Sequence, residues 1–253
     1  MAQATANNNP KKVLYDVPVS NNGARIRLLI YKKKLEDVID VKSPATIGGL
    51  ASDAYLALNP QGKMPVLQME DGSGLPESQV IEGYLLDKYV DRQPALIPGT
   101  PELRARAALV VRILDLYMNS IQGCMYKPME SKSERAAQVG QLAKQLDVLE
   151  GYVVGPYVCG EEMSYADTAL VPTVVFMAYI LPKFFGWPGL WEDRPKLEAW
   201  WKLMNADADV QRVVQEVEGG LRSWDQGARW EEKGIIKQVS DGSLAWYPNR
   251  MSG

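Results

Sequence analysis

Between Asp91 and Glu102 the chain reads DRQPALIPGTPE, three prolines and a glycine in twelve residues. Proline has no backbone N–H and a fixed φ, so neither a helix interior nor a central strand runs through such a stretch. It divides the 253 residues into two parts with different periodicities. Before it, strand and helix patterns alternate. VLYDV (13–17) and DVIDV (37–41) read as strands, and PVLQME (65–70) as a third that runs into a DGSG turn. ARIRLLIYKKK (24–34) and SQVIEGYLLDKYV (78–90) read as helices, the second with Val80, Ile81, Tyr84, Leu85 and Tyr89 on one face.

After the break almost everything is helical. One long helix is expected over about 101–126 and a second over about 132–153. A third starts at Ser164, three residues before Asp167, the spacing of a capping box. Pro172 is expected to kink that helix or end its first part. RPKLEAWWKLMNAD and ADVQRVVQEVEG follow as shorter helices, and the stretch after Trp224 shows no periodicity. The expected fold class is therefore α/β plus all-α. Residues 1–11 are expected to form a disordered lead-in, 12–91 a small α/β domain, 101–224 a helical bundle domain and 225–253 a loosely ordered C-terminal tail.

The chain contains no histidine. That removes the usual Ser-His-Asp and Cys-His nucleophiles and the commonest metal ligand. Two cysteines, Cys124 and Cys159, make neither a disulfide framework nor a zinc set, so no metal is expected. Chemistry must then run on hydroxyls, carboxylates, lysines or a borrowed reactive group. The net charge of -3 gives no footprint for nucleic acid. No apolar run is expected to approach the roughly 20 residues that span a bilayer. MAQATANNNPKK lacks the apolar stretch of a secretory signal and is too short and arginine-poor for a transit peptide. A cytoplasmic protein is expected.

Three short patterns carry the functional reading. LNPQGKMPVL (58–67) crowds Asn, Pro and Gly before a lysine and a proline that opens a strand. LPESQVIEGYL (75–85) puts Glu77 and Ser78 at a helix start, and SYADTALVP (164–172) opens a helix in the second part. In this order and at this spacing they resemble the glutathione transferase superfamily, over roughly Lys12 to Trp224. The resemblance implies a thioredoxin-like first domain, a helical second domain and glutathione as co-substrate. It implies a cis bond before Pro65, with the Met64 backbone pairing with the cysteinyl unit of glutathione as an added strand would. It implies Lys63 facing a glutathione carboxylate, Glu77 accepting from the γ-glutamyl amine, and Ser78 binding the γ-glutamyl carboxylate at the helix N-terminus. Each residue has a plainer reading: Ser78 as a helix cap, Lys63 as a solvated lysine, Pro65 as a trans strand edge.

The family's reactive hydroxyl or thiol lies between the first strand and first helix. VPVSNNGARIR, aligned on Arg25 and Arg27, resembles the serine-type classes such as zeta and phi and puts the serine at Ser20. The family tyrosine of other classes would fall at Asp16. Asn21 or Asn22 is the alternative donor, and Ser20 also fits a loop cap. The segment before Tyr55, GGLASDAY, lacks the basic pair those classes use on the glycyl carboxylate.

The acceptor site is expected between domains, along the long helix at Tyr117, Ile121, Met125 and Tyr126, with Trp224 and Trp230 as cover. A Met and aromatic stripe at this spacing also fits simple core. The resemblance implies attack by the glutathione thiolate on a small apolar electrophile, in a detoxification enzyme that is a homodimer. Peroxidase, isomerase or reductive dehalogenase chemistry uses the same thiolate. A non-catalytic scaffold or assembly module is the reading from another class.

Overall fold

The computed structural model of the chain describes residues 10–247; residues 1–9 of the expected 1–11 lead-in and 248–253 of the expected tail lie outside the described residues. The chain divides into two units, Met1–Pro94 and Ala95–Gly253.

The first unit is a four-stranded sheet with helices. β1 (Lys12–Tyr15) is followed by α1 (Asn21–Lys32), β2 (Ile39–Lys42), α2 (Asp53–Leu58), β3 (Val66–Gln68), β4 (Gly74–Pro76) and α3 (Ser78–Lys88). The sheet order is β2-β1-β3-β4. β1 and β2 are parallel, with Leu14 opposite Val41. β3 is antiparallel to β1, with Leu14 opposite Leu67, and β4 is antiparallel to β3. A parallel pair needs a crossover, and α1 supplies it. Ala24, Ile26, Leu28, Leu29 and Ile30 of α1 are all fully buried. This is the thioredoxin-like arrangement the motifs imply.

Two local readings change. α2, to which no element was assigned from the sequence, is a six-residue helix capped by Ser52, whose side chain accepts from the Tyr55 N–H. Six residues are too few to show a helical period. Tyr55, Leu58, Tyr15 and Val66 then form a cluster beside the sheet. On α3 the buried face is Ser78, Ile81, Glu82, Leu85 and Leu86. Val80 is exposed, so the face is rotated by about one residue from the expected one.

In the second unit α4 (Pro101–Ile113) is capped by Thr100 and opens on proline at its first position. The single helix expected to reach residue 126 does not form. A π-helical turn (Leu114–Asn119) and a 3-10 turn (Gln122–Met125) replace its second half. Asn119, on the π-helical turn, is held by side chains. Its side chain donates to Asp115 at 3.2 Å and accepts from Thr173 at 3.3 Å, while the Ser120 hydroxyl bonds back to the Leu116 carbonyl at 2.6 Å. The Ser120 bond takes a backbone carbonyl and so competes with the helical ladder.

α5 (Lys132–Tyr152), α6 (Tyr165–Phe185), α7 (Pro195–Met204) and α8 (Ala208–Gln226) follow. α6 carries the expected Ser164–Asp167 capping box. It runs through both Pro172 and Pro182, so Pro172 does not end it. The expectation about apolar runs is also corrected: α6 is long and apolar enough to cross a membrane by length and composition, and 72% of its apolar window is buried inside the fold. It packs on α8 and α4 as a core helix.

Of the tail expected to be loosely ordered, the described residues 225–247 carry two short helices. α9 (Arg229–Glu232) and α10 (Ile235–Val239) fold back on the unit, and Trp230 and Ile235 are fully buried. The Trp230 indole donates to the Met125 carbonyl at 3.0 Å, and Gln238 donates to the Met129 carbonyl at 2.7 Å. The buried Arg135 guanidinium donates to Gln238 Oε1 and to the carbonyls of Cys124 and Lys127.

Candidate functional site

The loop after α2 is built around one carbonyl. Lys63 O accepts from the Tyr55 hydroxyl at 2.9 Å and from Asn59 Nδ2 at 2.7 Å. Asn59 Oδ1 accepts in turn from the Gln61 N–H at 3.1 Å. Gly62 sits at φ 59, a left-handed conformation that glycine adopts without steric cost. The Met64–Pro65 bond is cis. Pro65 is buried, Met64 is half-buried and Lys63 is exposed.

Glu77 stands at φ 68 and ψ 112, a region non-glycine residues rarely occupy. Strain of this kind persists where surrounding structure over-determines it, and it concentrates at functional sites. Glu77 makes no side-chain cap, so α3 begins with its N-terminal amides uncovered by the preceding side chain. Ser78 is the first residue of that helix. Lys63, Met64, Pro65, Glu77 and Ser78 all border one cavity of about 170 Å³, together with Asn59 and Asn22. A lysine, a carboxylate, backbone groups and a helix N-terminus around one space suit a zwitterionic, peptide-like ligand.

The first turn of α1 closes the cavity through Asn22. Ser20 caps that helix, and its hydroxyl accepts from the Gly23 N–H at 3.1 Å. Neither Ser20 nor Asn21 is among the cavity's walls. Beneath this turn lies Asp16, 3% exposed. Its Oδ2 accepts from Arg27 Nε at 2.9 Å, and Arg27 also donates to the carbonyls of Val17 and Pro18. Burial pushes the Asp16 carboxyl up to about 6, against the lowering influence of Arg27, Ser20 and the Val17 amide. Burial, with Asp16 nearby, pushes the Tyr55 hydroxyl up to about 12. A Cβ on Gly23 would lie 1.8 Å from Asp16 Oδ1, so only glycine leaves room for that carboxylate.

Asn22, Asn59 and Asp16 are the residues sequence reasoning left without a firm part. Asn59 stood inside the Asn-Pro-x-Gly pattern, which was the signal for it. Asp16 stood at the aligned tyrosine position. Asn22 was only one of several donors, because its direction depends on the helix starting at Asn21.

The expected acceptor residues are not gathered in the same way. Tyr117 is 55% exposed on the π-helical turn. Ile121 is half-buried. Met125 is fully buried, a core position. Tyr126 packs against Phe176 and Trp224, at ring distances of 5.7 and 5.5 Å. Both cysteines are free and buried. Burial pushes the Cys124 thiol up to about 12 and also raises that of Cys159.

Comparison with known proteins agrees with this geometry. The family model "Glutathione S-transferase, N-terminal domain" matches residues 14–93, and "Glutathione S-transferase, C-terminal domain" matches residues 113–208. The chain is similar to glutathione S-transferase 3 of Zea mays, with 30% identity over 215 residues, covering 81% of this chain and 93% of the maize protein. It is 31% identical over 157 residues to a maleylacetoacetate isomerase of Pseudomonas aeruginosa, covering 61% of this chain and 69% of that protein. Glutathione transferase F2 of Populus trichocarpa shares the fold, with a TM-score of 0.68 and 21% identity over 82% of this chain and 99% of that one. A two-part match in the expected order, joined to a relative spanning most of both chains, shows that this protein belongs to the glutathione S-transferase family.

Proposed function

We propose that the protein is a glutathione-dependent transferase that binds glutathione in the Lys63–Ser78 cavity and turns its thiolate on a small apolar electrophile. The observation that carries this is the common cavity of Lys63, Met64, Pro65, Glu77 and Ser78, three of them more than ten residues from the other two in sequence. In this reading the Lys63 ammonium meets a carboxylate, and the Met64 backbone pairs with the cysteinyl unit. Glu77 accepts from the γ-glutamyl amine, and the α3 N-terminus with Ser78 holds the γ-glutamyl carboxylate. The clamp on the Lys63 carbonyl holds the adjoining Met64 peptide in register.

The thiol then falls near the first turn of α1, where Ser20 and Asn21 were expected to act. A free thiol titrates near 8.5, and lowering that by about two units requires about 2.7 kcal/mol. One hydrogen bond to a charged acceptor contributes about 1.5–3 kcal/mol, and a helix N-terminus about 0.3–1 kcal/mol. No histidine and no metal is needed. The acceptor side, at Tyr117, Ile121 and Tyr126, belongs to this proposal, as do the homodimer, the cytoplasmic location and a role in detoxification.

A second reading, glutathione-dependent isomerisation, is favoured by the isomerase among the relatives. The deciding experiment is a panel of alkylating, peroxide, haloaromatic and cis-enone substrates run with glutathione. Retention on immobilised glutathione with no ionised thiol and no turnover on the panel would instead support a scaffold. Light scattering at micromolar protein tests the homodimer.

A further inference from the structure

We propose that Asn22, rather than Ser20, presents the hydrogen-bond donor to the sulfur of bound glutathione. The inference rests on the glutathione reading of this cavity and assigns one further catalytic residue within it.

Three observations on α1 carry it. Asn22 is part of the cavity wall that also holds Met64 and Pro65, the residues flanking the expected cysteinyl position; Ser20 is not. Ser20 is 9% exposed, and its oxygen is engaged by the Gly23 N–H as the helix cap. The Asp16 carboxylate lies on the interior side of the same turn, against Gly23. A carboxylate accepts and does not donate, so the single proton of Ser20 has a competing acceptor within the protein. Successive helical residues point roughly 100° apart. With Gly23 turned toward Asp16, Asn22 is turned to the cavity. Its side-chain amide carries two N–H donors beside the amide-rich end of the helix, where developing negative charge is also favoured.

The test is the pH titration of the thiolate absorbance of bound glutathione, with glutathione affinity measured in parallel by calorimetry. The proteins compared are the parent chain, Asn22→Ala, Asn22→Leu and Ser20→Ala. Asn22→Ala is expected to raise the thiol pKa by about one to two units, the worth of one hydrogen bond to a charged group, with affinity little changed. Asn22→Leu keeps the volume and stays neutral but has no donor. It is expected to raise the pKa by the same one to two units, which decides the matter if the alanine variant folds poorly. Ser20→Ala is expected to lower the melting temperature and leave the thiol pKa in place. Parent-like titration in both Asn22 variants overturns the assignment, and a shift in Ser20→Ala alone returns the role to the serine. If the parent chain does not bind glutathione at all, the cavity reading falls and the Asn22 assignment falls with it.

Discussion

Arg27 Nε lies 2.9 Å from Asp16 Oδ2, and both side chains are almost sealed from solvent. The pair sits under the turn that leads into α1, and Arg27 reaches past Asp16 to the carbonyls of Val17 and Pro18. The charge of this strut titrates near pH 6, because burial moves the Asp16 carboxyl from 3.8 to about 6.

The folded protein therefore keeps the Asp16 proton up to about pH 6, whereas the unfolded chain releases it near pH 4. Stability from this group is present at the acid end and is lost as pH rises through that window. Asp16→Asn removes the titration. The stability of the variant relative to its parent should improve between about pH 4 and pH 7 by up to about 3 kcal/mol, the equivalent of the two-unit shift. Denaturant melts of both proteins across that range check it, and a difference independent of pH refutes it.

Ser78 is the first residue of α3, one position past Glu77, whose side chain makes no cap. Ser78→Ala should weaken glutathione binding about tenfold or more, the loss of a hydrogen bond to a charged group. The melting temperature should stay nearly constant. Calorimetric titration with parallel melts checks this, and unchanged affinity sinks the assignment of that end of the cavity.

The Lys63 carbonyl has two donors, and they are not equivalent. Tyr55→Phe removes one and leaves Asn59 in place, so stability should fall by about 1 kcal/mol and glutathione affinity slightly. Asn59→Ala removes the second donor and also strands the Gln61 N–H. It should cost about 2–3 kcal/mol and reduce affinity more than the tyrosine change. Urea denaturation and glutathione titration of the two variants give the ranking, and a reversed order would contradict the clamp.

Asp167 is a junction in the second unit. Its carboxylate accepts from the Ser164 N–H and hydroxyl, both at 2.7 Å, from Val158 N–H at 2.8 Å and from the Trp200 indole at 2.9 Å. Burial raises its pKa and these four donors work against that rise. Asp167→Asn turns an N–H group toward donors and should destabilise the fold by at least about 2 kcal/mol, while the first-unit cavity keeps its residues. Thermal unfolding checks the loss; a neutral substitution would contradict the network.

What was legible in the sequence was whatever the chain encodes locally. The Asn59–Pro65 loop needs asparagine, glycine and proline at fixed offsets, and Glu77–Ser78 marks a helix start, so both ends of the cavity could be read from linear patterns. The Ser164–Asp167 box was legible for the same reason. Asn22 was obscured because its direction follows from a helix that starts at Asn21, three residues before the apolar pattern begins. The change to π-helical winding after Ile113 left no linear signal, and Asn119 on that turn is met by Thr173 from 54 residues away. α9 and α10 are four and five residues long, with Ala228 and Gly234 in left-handed conformations before them, so no helical period could register.

The burial of the two cysteines has a practical side. With the Cys124 thiol pushed up to about 12 and that of Cys159 also raised, the native protein carries almost no thiolate of its own at neutral pH. Alkylating reagents and ultraviolet difference spectra would then see a silent protein background. Any sulfur signal that grows with added glutathione reports the ligand, in the wild-type chain, without first engineering the cysteines away.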